Sequence, residues 1–215
     1  MGERQIILWR HGRTSWNAER RFQGQSDIEL DDEGRAQAER AAELLAYLEP
    51  DRIIASDLAR AWATAQALSA RTGVQVRADA RLRETFAGEW EGLSRAELLE
   101  RHGDEVARWA SDSAARPGGG ETRIEVADRV VAAITDGLDE LAESGTLVVA
   151  THGGAARAGI GALLELPPEQ WACLGVLSNC AWSILSENST GFGPAWRLQE
   201  YNAGSLPTPA LADDR

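Results

Sequence analysis

Residues 5–14 read QIILWRHGRT, an apolar run that ends in basic and imidazole side chains and a glycine. The apolar part, residues 5–10, predicts a β-strand. In open α/β sheets ligands bind beyond the carboxyl ends of the strands, so the residues just after this run are candidates for chemistry. The same unit, a short strand followed by polar residues, recurs along the chain.

Strand and helix patterns alternate over most of the sequence. Apolar runs predict strands at residues 51–56, 74–77 and 146–150, and alternating runs predict late strands at 180–186 and 195–201. Helical spacing covers residues 30–48, 57–71 and 153–164. Two capping boxes, at 94–97 and 122–125, open further helices, and the first of these is expected to end near Gly103. The pattern predicts an α/β fold, a three-layer α/β/α sandwich with a mostly parallel central sheet.

The length of 215 residues predicts a single domain, which we place at residues 1–203. Residues 84–122 differ from the rest in their glycine-rich turns and short helices, and they are expected to form a lid-like insertion. Residues 204–215 contain Pro207 and Pro209 among small residues. This last segment is expected to be a loosely ordered tail.

The chain carries 22 basic and 34 acidic residues, which gives a formal net charge of −12, and every basic residue is an arginine. This charge opposes nonspecific binding to nucleic acid. No apolar run is long enough to span a membrane, and the first residues lack the apolar core of a signal peptide, so we expect a cytoplasmic protein. The absence of lysine excludes Schiff-base chemistry and Walker-type phosphate loops.

Arginine, histidine and glutamate side chains follow the predicted strands. They are Arg10 and His11 after the first, Arg60 after the second, Glu84 after the third and His152 after the fourth. Two arginines suit a tetrahedral dianion, and a neutral histidine among them could attack phosphorus. A carboxylic acid could protonate the leaving alcohol. Such a site stabilises the transferring phosphoryl group by electrostatic interaction. The three histidines show no metal-ligand spacing, so neither a metal nor another cofactor is predicted.

Short motifs in a fixed order carry a resemblance to a known family. They are Arg10-His11-Gly12-x-Thr14 with Asn17, Gln23-Gly24, Leu30-x-x-x-Gly34, Ser56-Asp57-Leu58-x-Arg60-Ala61, Leu82-Arg83-Glu84, Gly119-Gly120-Glu121 and His152-Gly153-Gly154. Together they resemble the signature of the histidine phosphatase superfamily, in the branch that contains cofactor-dependent phosphoglycerate mutase. The resemblance covers nearly the whole chain and implies a phosphoglycerate mutase-like fold.

The resemblance also implies roles for individual residues. His11 matches the nucleophile that forms a phosphohistidine, and Glu84 matches the general acid and base. Arg10, Arg60 and His152 match the rest of the phosphate pocket, and the implied substrate contacts are Asn17, Gln23, Gly24 and Gly153. Arg13 stands where many relatives carry Glu or Gln, and we hypothesise that it adds positive charge beside the pocket. Glu89 and Glu91 are rivals of Glu84 for the acid/base role, and His152 could simply begin a helix.

Motifs in the last third resemble a narrower group. They are Leu166-Pro167-x-x-x-Trp171-x-x-Leu174-Gly175, Asn179-x-x-Trp182, Trp196-Arg197-Leu198 and Tyr201-Asn202-Ala203. They are similar to the glucosyl-3-phosphoglycerate phosphatases, which implies a metal-independent phosphomonoesterase acting on a small phosphoglycerate-type or sugar-linked ester. Apolar residues at 171–177 and in the late strands offer surface for a homodimer, which the resemblance also favours.

Other functions stay open at this point. A phosphoglycerate mutase must hold a bisphosphorylated intermediate, which calls for additional cations. Residues 85–93 contain no basic residue and include Glu89 and Glu91, so we favour a phosphatase over a mutase. A broad-specificity acid phosphatase and a catalytically silent sensor of phosphate ligands are further alternatives.

Overall fold

A computed structural model describes residues 3–204, which form six strands and six α-helices. The strands are β1 (Arg4–Arg10), β2 (Arg52–Ala55), β3 (Val76–Ala78), β4 (Gly145–Thr151), β5 (Trp182–Glu187) and β6 (Trp196–Ala203). The helices are α1 (Ser15–Ala18), α2 (Asp32–Leu45), α3 (Ala59–Thr72), α4 (Arg95–Ser111), α5 (Arg123–Asp139) and α6 (Gly153–Leu163). Apart from Gly204, the tail expected at 204–215 lies outside the described residues.

The six strands form one sheet in the order β3-β2-β4-β1-β5-β6. Strands β1 to β4 run parallel, whereas β5 is antiparallel to both β1 and β6. The sheet is therefore mixed. Its parallel part consists of β1 to β4, the strands that are followed by the candidate active-site residues. Arg10 is paired in register with Thr151, so the loops that follow β1 and β4 leave the sheet side by side.

Both faces of the sheet are buried, which confirms the three-layer α/β arrangement. In β1, Ile6 and Leu8 pack into a core with α5 and α6, while Ile7 and Trp9 pack into a second core with α2 and α3. A strand covered on both faces needs apolar residues at successive positions, which explains the continuous run at the start of the chain. No helix within residues 3–204 combines the length and apolar character needed to cross a membrane.

Helix α4 is longer than the sequence pattern predicts. The capping box at Ser94 and Glu97 is present, but the helix continues past Gly103 to Ser111, with non-helical backbone angles at His102. The glycine and the kink mark an irregularity that the sequence analysis took for the helix end. The second half of α4 brings Val106 and Trp109 into contact with the rest of the chain.

Residues 84–122, expected as an insertion, build a small apolar cluster of their own. Trp90 packs edge-to-face on Phe22 and Trp109, with ring centroids 5.9 and 5.7 Å apart. Leu98 of α4 joins the same cluster. Because the cluster includes Phe22, it fixes this segment against the loop that follows α1, and the two together form one wall of a cleft.

Several of the apolar residues at 171–177, which the sequence offered as surface for a homodimer, belong to the protein's own core. Trp171, Leu174 and Leu177 are buried within the chain, in the core that contains α5 and α6. The cluster is apolar because it closes the protein's own core beside α6.

A contact between two glycines holds the loop after β1 against the start of α2. A Cβ on Gly12 would overlap the carbonyl oxygen of Gly34, and a Cβ on Gly34 would overlap the carbonyl oxygen of Arg13. The Asp31 carboxylate caps α2 by accepting from the Gly34 N–H at 2.7 Å and also accepts from Arg13 Nε at 2.8 Å. The backbone approach at this point leaves no room for a side chain.

We expect Gly34→Ala to lower the free energy of unfolding by about 1–3 kcal/mol, because the added methyl group forces two backbone segments apart. Urea unfolding followed by tryptophan fluorescence would measure the change. The control is Gly103→Ala, where a Cβ meets no atom within 4 Å and should change stability by no more than about 1 kcal/mol. Equal stability of wild type and Gly34→Ala would contradict this account of the contact.

Candidate active site

A cleft of about 180 Å³ opens at the carboxyl ends of β1, β2 and β4. Its walls include Arg10, His11, Arg60 and Glu84 among the residues selected from the sequence, together with Gln23, Gly24 and Gly153. The structure thus brings side chains from distant parts of the sequence to one edge of the sheet, as the parallel strand ends require.

His11 is buried at the floor of this cleft. Its Nδ1 lies 2.7 Å from the carbonyl oxygen of Gly12, and a carbonyl can only accept, so Nδ1 carries the proton. The lone pair of the neutral ring is therefore on Nε2. Burial, reinforced by the positive charges of Arg60 and Arg10, holds the pKa of His11 well below its ordinary value. The ring is held in the neutral, nucleophilic form.

Arg60 comes from the first turn of α3 and is fully buried beside His11. Its two terminal nitrogens donate to the carbonyl oxygens of Ser26 and Gly24, both at 2.8 Å. Arg60 Nε has no hydrogen-bond partner among the described residues. Burial lowers its pKa to about 10, so the guanidinium keeps its charge at neutral pH.

Arg10 is the last residue of β1 and is also buried. Its Nη1 donates to the carbonyl oxygen of Leu177 at 2.6 Å, which anchors the guanidinium at the end of the strand. A Cβ built on Gly153 would lie 3.4 Å from the Arg10 guanidinium carbon, so Gly153 lets this group approach the start of α6. Two guanidinium groups thus flank His11 from different elements.

His152 lies behind His11, with 5.1 Å between the ring centroids, and does not itself line the cleft. It is the N-cap of α6, and its Nε2 lies 2.9 Å from the Ser56 hydroxyl oxygen. Its Nδ1 is buried and has no hydrogen-bond partner in the part of the chain that the structure describes. Burial, then the charge of Arg60, holds the pKa of His152 well below its ordinary value.

Glu84 faces the cleft at the N-terminus of α6. Its Oε1 accepts from the backbone N–H groups of Thr85 at 2.8 Å and Ala155 at 2.9 Å, and its Oε2 accepts from that of Gly154 at 3.0 Å. Neither of its two rivals lines the cleft. Glu89 is exposed, and Glu91 accepts from the backbone of residues 25 and 87.

Arg129 of α5 positions Glu84, and the sequence analysis missed it. Its guanidinium donates to the carbonyl oxygens of Arg81 and Arg83 at 2.7 and 2.6 Å and to that of Glu84 at 2.9 Å. It also forms an ion pair with Glu121, at 2.8 Å. Arg129 is one of two arginines in α5, and the sequence analysis quoted Glu121, eight residues earlier, only as part of a motif.

Two of the expected substrate contacts differ in their exposure to the cleft. Gln23 lines it and accepts from the Thr14 hydroxyl at 3.0 Å. Asn17 is buried, does not line it, and accepts from the Thr14 N–H at 3.0 Å and from Asn179 Nδ2 at 3.1 Å. In this structure Asn17 caps α1 and ties it to the loop before β5.

Gly24 is a turn residue that lines the cleft and holds Arg60. Its φ of +52° lies in the left-handed region, and a Cβ there would overlap the Glu91 carboxylate. Its carbonyl oxygen accepts from Arg60, so the turn and the buried cation stabilise each other.

Arg13 lies apart from the cleft, contrary to our hypothesis. Its Nε donates to the Asp31 carboxylate, and Arg13 does not line the cleft wall. Its charge is neutralised at the start of α2, because Asp31 is both the helix cap and its ion-pair partner. Arg83, which follows the third strand, likewise forms an ion pair with Asp57 outside the cleft.

Charge is concentrated in the cleft. The residues that line it include seven arginines and one acidic residue, Glu84, in a chain of net charge −12. The arginines are Arg10, Arg20, Arg21, Arg60, Arg95, Arg123 and Arg157. Within residues 3–204 no group of three or more His, Cys, Asp or Glu side chains is arranged to hold a metal ion. The arrangement is suited to an anion held by arginine and attacked by a histidine.

Comparison with known proteins places this chain in a family. The model of the histidine phosphatase superfamily (branch 1) matches residues 6–203. The chain belongs to this superfamily. The match begins within β1, covers every later strand and helix described above, and includes His11, Arg60, Glu84 and His152.

Named relatives cover almost the whole chain. A glucosyl-3-phosphoglycerate phosphatase of Mycolicibacterium vanbaalenii is 38% identical over 218 residues, which is 95% of this chain and 97% of the relative. A probable phosphoglycerate mutase of Salmonella paratyphi C is 35% identical over 213 residues, 96% of this chain and 97% of the relative. A solved structure of a mycobacterial glucosyl-3-phosphoglycerate phosphatase with VO3 is 39% identical, with a TM-score of 0.87, and covers 94% of this chain and all of its own.

The buried neutral histidines predict a loss of stability in acid. The unfolded chain takes up protons at His11 and His152 below about pH 6.5, whereas the folded protein does not, so the free energy of unfolding falls as the pH drops below that value. His11→Asn removes one such group. Between pH 6.5 and 5, the free energy of unfolding of this variant should fall less steeply with decreasing pH than that of wild type, by up to about 1.4 kcal/mol per pH unit. Urea unfolding at several pH values measures both slopes, and identical slopes would contradict the prediction.

Proposed function

We propose that this protein hydrolyses phosphate monoesters through a phosphohistidine at His11. The observation that carries the proposal is the fixed tautomer of His11, with its Nε2 lone pair available at the floor of a cleft lined by seven arginines. Family membership supports the same reaction class. Arg60 Nε and His152 Nδ1, which are among the buried nitrogens without a hydrogen-bond partner within residues 3–204, support it further, because a phosphoryl oxygen could accept from both groups.

The first half of the reaction transfers the phosphoryl group to the protein. His11 Nε2 attacks phosphorus in line with the ester oxygen, the P–O bond breaks, and protonated Glu84 gives its proton to the departing alcohol. Arg10 and Arg60 stabilise the charge on the transferring group. The Ser56 hydroxyl, donating to His152 Nε2, would leave His152 Nδ1 protonated and able to donate to a phosphoryl oxygen.

The second half returns the protein to its starting state. Glu84, now a carboxylate, removes a proton from water, and the water oxygen attacks phosphorus as the P–N bond breaks. Inorganic phosphate and neutral His11 result. Glu84 gives and takes back the proton, and Arg10 and Arg60 supply the positive charge, so these steps require no metal.

We propose glucosyl-3-phosphoglycerate, or a closely related phosphoglycerate ester, as the substrate. The named relatives support this, and so does the excess of arginine beyond the two groups that contact the phosphate. A cytoplasmic location and a homodimer remain predictions from the sequence. Light scattering of the purified protein would measure the oligomeric state.

A phosphoglycerate mutase is the second candidate. The lack of basic residues at 85–93 argues against a mutase. Five arginines from other segments nevertheless line the cleft in addition to Arg10 and Arg60, namely Arg20, Arg21, Arg95, Arg123 and Arg157. Incubation of 3-phosphoglycerate with and without 2,3-bisphosphoglycerate distinguishes the two. Release of inorganic phosphate supports the phosphatase, and formation of 2-phosphoglycerate without phosphate release supports the mutase.

We expect His11→Ala to abolish turnover and phosphoprotein formation. Wild type quenched in alkali during hydrolysis of a ³²P-labelled ester should carry acid-labile label, as a phosphoramidate does, and His11→Ala should carry none. His102→Ala is the matched control, because His102 lies in α4 outside the cleft and should not change the labelling. Label on the His11→Ala protein would overturn the proposed mechanism.

Glu84→Gln should slow the first phosphoryl transfer by a factor of about 10²–10⁴ for an alkyl phosphate, because the alcohol then leaves without a proton. Transfer from p-nitrophenyl phosphate should change far less, since nitrophenolate leaves unprotonated. Rapid mixing measures both rates, with a burst of nitrophenolate expected from the variant. Glu89→Gln serves as the control. An equal loss on both esters would assign Glu84 a positioning role only.

A further inference from the structure

Arg157 stands one helical turn beyond the phosphate end of the cleft. It follows Gly153 by four residues in α6, so the two residues share a face of the helix about 6 Å apart along its axis. Gly153 lies against the Arg10 guanidinium. A group four bonds from the phosphorus, such as the carboxylate of 3-phosphoglycerate, is thus at a suitable distance to reach Arg157.

The guanidinium of Arg157 is available, unlike those of Arg21 and Arg123 on the same cleft wall, and it is less exposed than Arg20 and Arg95. Arg157 is half-buried and takes part in no hydrogen bond or ion pair among residues 3–204. By contrast, Arg21 pairs with Glu19 and donates to Gly92, and Arg123 donates to the Trp109 carbonyl oxygen and stacks on the Trp109 ring. An unpaired arginine inside a cleft is suited to bind a carboxylate through two parallel hydrogen bonds.

The cleft continues past Arg157 into a second chamber of about 240 Å³. Arg157 lines both chambers, and so do Trp109 and Trp171. Arg157 therefore stands where the two chambers meet, with the chamber that contains His11 on one side and the second chamber on the other.

The second chamber has the lining expected for a neutral, hydroxyl-rich ring. Pro168, Trp171 and Ala172 supply apolar surface, while Ser113 and Glu169 supply polar groups. The Glu169 carboxylate is a good acceptor for sugar hydroxyl groups, and the charged side chains that share this lining are Arg123 and Arg157. Both arginines also line the first chamber, so an anionic group of a substrate is favoured where the two chambers meet.

We propose that Arg157 binds the carboxylate of the substrate and that the second chamber receives the sugar attached to the adjacent carbon. In glucosyl-3-phosphoglycerate the carboxylate and the glucosyl oxygen both branch from the carbon next to the phosphorylated one, which matches a cleft that branches at Arg157. This assignment rests on the proposed function and adds the residue that determines its substrate class.

The first experiment compares substrates with and without a carboxylate. In Arg157→Gln, KM for 3-phosphoglycerate should rise about 10- to 100-fold, the loss expected for a charge-assisted pair. KM for glycerol 3-phosphate, which lacks the carboxylate, should change less than threefold. Arg71→Gln is the charge-matched control, because Arg71 is at the far end of α3 from Arg60.

Three outcomes would overturn the assignment. They are an unchanged KM for 3-phosphoglycerate, an equal rise for both substrates, and a carboxylate-specific rise in Arg95→Gln instead of Arg157→Gln. Binding of 3-phosphoglycerate to His11→Ala, with and without Arg157→Gln, is measured by calorimetry. This readout needs no turnover, so a failure of the assignment is distinguishable from a failure of the phosphatase proposal.

The second experiment places a larger side chain in the second chamber. In Ala172→Phe, the ratio of kcat/KM for glucosyl-3-phosphoglycerate to that for 3-phosphoglycerate should fall about tenfold or more, because only the first substrate carries a sugar. Circular dichroism and thermal unfolding check that the variant is folded. An unchanged ratio in a folded variant would exclude the second chamber as the sugar site.

Discussion

The active site depends on how the buried charge of Arg60 is held. Its described hydrogen bonds go to two carbonyl oxygens, and it forms no ion pair within residues 3–204. Carbonyl groups orient a guanidinium without cancelling its charge, so the positive field remains directed at His11. That field, together with burial, keeps the His11 ring neutral. A carboxylate partner at the same place would have left His11 easier to protonate and the phosphate less strongly bound.

Arginines elsewhere on the protein are held differently. Arg13, Arg83 and Arg116 each pair with a carboxylate, at Asp31, Asp57 and Glu125. Position alone therefore decides which of the 22 arginines contribute to an anion site. The formal charge of −12 describes a surface where acids outnumber arginines, and it conceals a cleft in which the ratio is reversed.

Local signals in the sequence were enough to predict the strands, the layers and the residues at the strand ends. The sequence placed His11 and His152 after parallel strands, and register brings Arg10 opposite Thr151. The end of α4 was wrong because a glycine beside a kink resembles a helix stop. The sequence did not reveal the burial of Trp171, Leu174 and Leu177, because an apolar cluster has the same pattern whether it closes a core or faces a partner. Arg129 escaped notice because its bonds are to carbonyl oxygens 45 to 48 residues away, which leave no trace in side-chain spacing.

The placement of His11 at the floor of the cleft also determines the stereochemistry of the reaction. The leaving alcohol departs toward the mouth, and the attacking water must enter from the same side, because the opposite face of the phosphorus is bonded to His11 Nε2. Each in-line displacement inverts the configuration at phosphorus, so two successive displacements restore it. A substrate made chiral at phosphorus with sulfur and oxygen isotopes would therefore transfer its phosphoryl group to an acceptor with overall retention, which a single direct attack by water could not produce.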